Sequence, residues 1–224
     1  MVTRCRCRWL LIFSVAVFAG CYPPSNPAVL DTISETRPAC WLEICPGTTM
    51  RHNAITFLED QPGITVTGRN PDHPVNPSIS WSASPSAEEN GILSGFLYSD
   101  IDDEMVTHIQ LRVNDHLSLD EAVAKFGLPP QVIAYEGGAE VLWLWLDVRY
   151  PDRGILVTHI DRRWQRRRAD TVTLRSDLRI SVLDLFASDR VETLDPKLIG
   201  APSECPYVSW PGWDAEIEVL DLTE

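Results

Sequence analysis

The chain has 224 residues, with 32 Asp and Glu against 19 Lys and Arg and a net charge of −13. So acidic a polypeptide is a poor partner for nucleic acid, because duplex binding rests on neutralising phosphates with Lys and Arg. It is also repelled by anionic lipid, so any membrane attachment has to come from something other than surface charge.

Residues 1–20 form an export leader. Arg4, Arg6 and Arg8 give a basic start without any acid, and Trp9–Phe18 is apolar or small apart from Ser14. This run falls short of the roughly 20 residues that a spanning helix needs, and Ala19 and Gly20 are the small residues required near a signal-peptidase cut. Phe18-Ala19-Gly20-Cys21 resembles the lipobox of bacterial lipoproteins. The resemblance implies cleavage before Cys21, lipid on its thiol, and an exported protein held outward-facing on a membrane of the cell envelope. Loss of the three leader arginines takes the remainder from −13 to −16. Residues 21–38 carry Pro23, Pro24, Pro27 and Pro38 among Ser, Asn and Thr, and read as a tether.

Beyond the leader and Cys21, the remaining cysteines are Cys40, Cys45 and Cys205, in a compartment that permits disulfides. Sequence alone does not choose among the three pairings. Cys40–Cys205 is favoured because it ties the start of the folded part to its end, for about 4–5 kcal/mol in the chain-entropy model; Cys40–Cys45 is the alternative. No pair of His and Cys shows zinc-ligand spacing, and neither a metal nor another cofactor is expected.

The folded part divides into residues 39–115, residues 116–187 and a C-terminal extension, 188–224, expected to pack back on the domain. A first helix follows Pro46-Gly47, with Thr48 or Thr49 as N-cap, through Ala54, Phe57 and Leu58 to about Glu59. A proline-rich insert with Pro62, Pro71, Pro74, Pro77 and Pro85 follows. Strands are expected at Ile79–Ala83, at Ile92–Tyr98 and, after the turn Asp100–Glu104, at Met105–Val113. A second helix begins at Ser118, with Glu121 three positions on as the other half of a capping box. Its apolar face is Leu119, Ala122, Val123 and Phe126, and Gly127, Pro129 and Pro130 end it. Val141–Val148 is a strong strand, Tyr150–Gly154 a turn, Ile155–Ile160 a returning strand, and Thr171–Phe186 one or two more.

Val106-Thr107-His108-Ile109 recurs as Val157-Thr158-His159-Ile160. Setting Thr49 on Ser118 also sets Phe57 on Phe126, so helix, breaker and strand follow the same order twice. The expected fold class is α+β: two tandem helix-then-β-meander repeats forming an antiparallel sheet with helices on one face.

The segment Ser118–Pro130, with its capped helix, acidic residues and Gly-x-Pro ending ahead of Trp143 and Trp145, resembles the helix signature of the small lipoproteins of the outer-membrane β-barrel assembly machine. The doubled unit is similar to the β-lactamase inhibitor protein. The match covers about residues 116–161, with a weaker echo in 46–113. What the resemblance implies is protein binding, as scaffold or inhibitor, with no catalytic residue to carry over.

On strand 141–148, Leu142, Leu144, Leu146 and Val148 share one face, and Val141, Trp143, Trp145 and Asp147 the other. If the aliphatic face packs on the helices, Trp143 and Trp145 stand on the open side as candidate interface anchors; the alternative is that the C-terminal extension, with Trp210 and Trp213, covers them. Arg162–Arg168 is the basic cluster of an acidic chain, either a docking site or a solvated loop. Asp100, Asp102, Asp103 and Glu104 lack the order of an EF-hand loop and read as a hairpin turn. His108 and His159 take equivalent repeat positions, which points to a structural role; His52 on the first helix and His73 in the insert have no evident partner, and no catalytic motif is present. The expected function is a lipid-anchored, non-catalytic module that binds another exported or envelope protein. An inhibitor of an extracellular hydrolase is the alternative, and a small-ligand binder or enzyme ranks below it.

Overall fold

The computed structural model describes residues 28–69, 78–84, 91–99, 104–114, 116–137, 143–164, 170–187 and 207–221. Cys21, Cys205 and the leader lie outside these residues, as do Asp100, Asp102, Asp103, His73 and Arg166–Arg168. Most of the described chain is sheet. Its strands are β1 (Ile64–Arg69), β2 (Ser78–Ala83), β3 (Ile92–Ser99), β4 (Val106–Val113), β5 (Gln131–Gly137), β6 (Trp143–Tyr150), β7 (Ile155–Asp161), β8 (Thr171–Thr173), β9 (Val182–Phe186), β10 (Val208–Ser209) and β11 (Glu216–Asp221). Three helices accompany them: α1 (Ala28–Asp31), α2 (Arg51–Asp60) and α3 (Leu119–Phe126).

The strands form one open sheet in the order β1-β2-β3-β4-β9-β7-β6-β5-β11-β8, with β10 on the outer edge of β5 beside β11. The α+β class holds in this coarse form, but the sheet is mixed: β11 runs parallel to β5, while every other pairing is antiparallel. Two tandem repeats are not evident. The two Val-Thr-His-Ile segments lie on β4 and β7, which flank the same strand, β9. Leu183 of β9 faces Leu111 on one side and Val157 on the other, and Leu185 faces Ile109 and Ile155. Val157 is therefore level with Leu111 and five positions out of step with Val106. Identical tetrapeptides thus meet different surroundings. His108 is buried, whereas His159 is partly exposed and donates from Nδ1 to the Arg179 carbonyl at 2.5 Å.

The helices cover one face of the sheet. Side chains on a strand alternate between faces, and one alternating set forms the main core: Leu97 of β3, Ile109 and Leu111 of β4, Leu183 and Leu185 of β9, Ile155 and Val157 of β7, Leu144, Leu146 and Val148 of β6, and Val132 and Ala134 of β5. Against it pack Ala54 and Leu58 of α2, and Leu119, Ala122 and Phe126 of α3. The expected ends of α3 are observed. Ser118 and Glu121 form the capping box, with the Ser118 amide donating to the Glu121 carboxylate at 2.9 Å, and Gly127 closes the helix at φ 88°. Helix α2 starts later than expected, at Arg51 after Met50. Thr49 is spent on the turn before it, where its hydroxyl accepts from the Cys45 amide at 2.8 Å.

Two further expectations are corrected. Cys40 is bonded to Cys45, at 2.06 Å, and so is not available to Cys205. The two cysteines flank the reverse turn Trp41–Ile44, whose end residues exchange backbone hydrogen bonds of 3.0 and 2.9 Å. This local geometry brings them together before any long-range contact is needed. The closed loop is short, so it stabilises by only about 2 kcal/mol in the chain-entropy model. The folded part also begins before residue 39. Val29, Leu30, Ile33 and Ala39 already belong to the main core, because that stretch supplies apolar side chains to the helix-covered face. Trp41 lies there too, stacked on Trp81 of β2 with centroids 5.0 Å apart and planes 7° off parallel.

Candidate functional site

The face of the sheet opposite the helices carries Trp143 and Trp145, as the alternation on β6 requires. Both are half-buried. The Arg162 guanidinium lies 5.2 Å from the Trp143 ring centroid, a cation–π distance. Trp145 stacks on Tyr135 of β5, at 6.2 Å and 7°. Beyond it, the Arg149 guanidinium sits 5.0 Å from the ring of Tyr207. Ile133 and Tyr135 form a small second core with Trp145, Tyr207 and Leu220 packed against it. The end of the sheet at β5 and β6 is thus an aromatic strip with two arginines stacked into it. Arg163, next to Arg162, is exposed.

The described portion of the C-terminal extension, 207–221, lengthens the sheet through β10 and β11, and of its residues Tyr207 and Leu220 pack on the strip. Trp210 packs against the main core on the other side.

Towards the middle of the sheet the same face is sealed and polar. His108 donates from Nε2 to Asp184 Oδ1 at 2.6 Å, and Gln110 donates to the same oxygen at 3.1 Å. The imidazole is stacked between Tyr98 and Phe186, at 4.6 and 4.3 Å. Two strands further on, Asp147 accepts from Thr158 at 2.7 Å and from Tyr135 at 3.1 Å. Asp147 is 1 % exposed and Asp184 2 %. Burial pushes the Asp147 carboxyl up to about 7, against the two donated hydrogen bonds, and the nearby Asp184 adds to the rise. Tyr98 is likewise raised by burial and by Asp184.

This row spans six neighbouring strands, from Tyr98 on β3 and His108 on β4 across to Tyr135 on β5. A carboxyl with a value near neutrality is typical of functional sites, but these groups are shielded from solvent, where a substrate would have to approach. The sequence pattern gave little warning of the row. An Asp beside two tryptophans reads as a solvent-facing residue unless the far face is known to be covered.

The other candidates are accounted for as follows. Glu104, the described member of its acidic turn, is exposed and 3.4 Å from Arg51. His52 is exposed on α2. Among the described residues no group of three His, Cys, Asp or Glu is placed to hold a metal ion. Compared with known proteins, the chain matches no family model, no curated protein and no solved structure.

Proposed function

We propose that this chain is a lipid-anchored, non-catalytic module of the cell envelope that binds another exported protein through the aromatic strip on β5 and β6. The observation that carries this reading is the run of half-buried Trp143, Trp145 and Tyr207 rings beside the Arg162 and Arg149 guanidinium groups, with the buried Tyr135 ring stacked against Trp145. Aromatic residues and arginine are the types that dominate binding energy at protein interfaces. Here Trp143, Trp145, Tyr135 and Arg149 sit on regular strands, so little order has to be gained on binding. The acidic remainder of the domain favours a partner whose contact surface is neutral or basic around an acidic centre that meets the arginines.

The decisive variant is Trp143→Ala, because Trp143, unlike Trp145 and Tyr207, packs against neither hydrophobic core. A photo-crosslinker at position 143 should join one exported protein. With that partner purified, Trp143→Ala should weaken binding by at least about 30-fold, the value of a 2 kcal/mol interface anchor, at unchanged melting temperature. Equal affinity for the variant and the parent would remove the proposal.

A second reading, an inhibitor of an extracellular hydrolase, is favoured by the turn closed by Cys40–Cys45. Leu42 is 36 % exposed at its tip and held at φ 54°. The first position of a two-residue turn with positive φ there is normally glycine. A leucine in that conformation is strained, and strain at an exposed tip points to a contact outside the fold. Leu42→Gly should leave the protein folded and abolish inhibition across a panel of secreted hydrolases. No inhibition by the parent protein at large excess ends this reading.

A further inference from the structure

An apolar surface lies where the end of α3 meets the C-terminal extension. The segments Gly127–Pro130 and Tyr207–Trp213 are joined by the pairs Val208 with Val132 and Ser209 with Gln131, and by the Trp210 amide donating to the Pro130 carbonyl at 3.3 Å. Three of the five exposed large hydrophobic residues among the described residues are on these two segments: Leu128 at 70 %, Val208 at 45 % and Trp213 at 36 %. Trp213 stands edge-on against Trp210, with centroids 5.2 Å apart, and Trp210 is rooted in the core. Pro130 and Pro211 are exposed beside them. Neither segment contains a charged residue, in a chain with 51 of them.

We infer that this surface rests on the interface of the lipid bilayer to which Cys21 is attached. The inference depends on the anchored reading given above. Only residues 22–27 separate Cys21 from Ala28, the start of α1, and seven residue steps reach at most about 25 Å. The domain is therefore held close to the lipid. Lys125, on the last turn of α3, is 3.8 Å from Glu35, so the helix that leads into Leu128 lies beside the N-terminal segment that follows the anchor. An acidic domain is repelled by anionic headgroups, and an uncharged surface of Trp, Leu, Val and Pro is the part able to settle among them. Tryptophan favours that depth because its ring is apolar and its N–H can still reach water or a headgroup.

The test uses the full mature chain, reconstituted into phosphatidylcholine vesicles with and without brominated acyl chains, with the mass of Cys21 measured on the same sample. Bromine should quench part of the tryptophan emission of the wild-type chain. Trp213→Phe should lack that quenched component, and Leu128→Asp combined with Val208→Asp should lose it while keeping Trp213. Equal quenching of wild type and Trp213→Phe, or none in the wild type, overturns the inference while leaving a lipidated Cys21 intact. A Cys21 without lipid overturns the anchored reading, and this one with it.

Discussion

Replacing Gly95 with alanine should lower folding stability by about 3 kcal/mol or more, the upper part of the range for overpacked positions, seen as a fall in the urea unfolding midpoint. A methyl group at Gly95 would come within 2.4 Å of Trp81 Cζ2 and 2.5 Å of the Gln110 carbonyl oxygen. Trp81 cannot yield, since it is 1 % exposed and stacked on Trp41, and the carbonyl belongs to the neighbouring strand. Trp81→Ala alone should cost about 3–5 kcal/mol. In a double-mutant cycle the combination should cost less than the sum, because the indole half of the clash is gone while the carbonyl half stays. An unchanged midpoint for Gly95→Ala, or strict additivity, would mean that the indole does not lie over Gly95.

Stability should also fall as the pH rises from 5 to 7, and Asp147 should be the cause. Its carboxyl is raised from 3.8 in the unfolded chain to about 7 in the folded one. Between those values the folded state holds a proton that the unfolded state has released. The stabilisation is complete below about 4 and is lost as the pH climbs through 7, with a slope of at most about 1.4 kcal/mol per pH unit. The groups facing Asp147 are Tyr135 on β5, Thr158 on β7 and Asp184 on β9. Asp147→Asn keeps the shape and mimics the protonated acid. Between pH 5 and 7 the wild type should lose roughly 2 kcal/mol more than Asp147→Asn does, measured from urea unfolding at each pH. Parallel pH profiles would show that Asp147 is ionised in the folded protein throughout.

What the sequence made legible was local. The Ser118 and Glu121 cap, the stop at Gly127, the turn after Tyr150 and the aliphatic face of β6 depend on residues within a few positions of one another, and each is where its pattern places it. The misses depend on partners far along the chain. β5 went unread because Val132–Tyr135 is buried on both sides and does not alternate. The repeated Val-Thr-His-Ile suggests structural equivalence, but β9 sets the register of both copies and places them out of step. Pairing Cys40 with Cys205 follows from sequence position alone, because nothing in the spacing shows that Trp41–Ile44 folds back on itself. Of the candidate site, Trp143 and Trp145 and their shared face were legible. Arg162 reaches Trp143 only once β7 is paired to β6, and the Arg149–Tyr207 contact and the uncharged surface at Leu128 and Trp213 become visible only once β10 is paired to β5.

The position of β9 has a consequence for assembly. Strands β1 to β4 can zip up in the order they are made, and so can β5 to β7, each next to the one before it. The two meanders share no border until residues 182–186 arrive and fill the slot between them. A polypeptide delivered N-terminus first therefore passes most of its length as two half-sheets, each with an unsatisfied rim, and becomes one body when a five-residue keystone is laid.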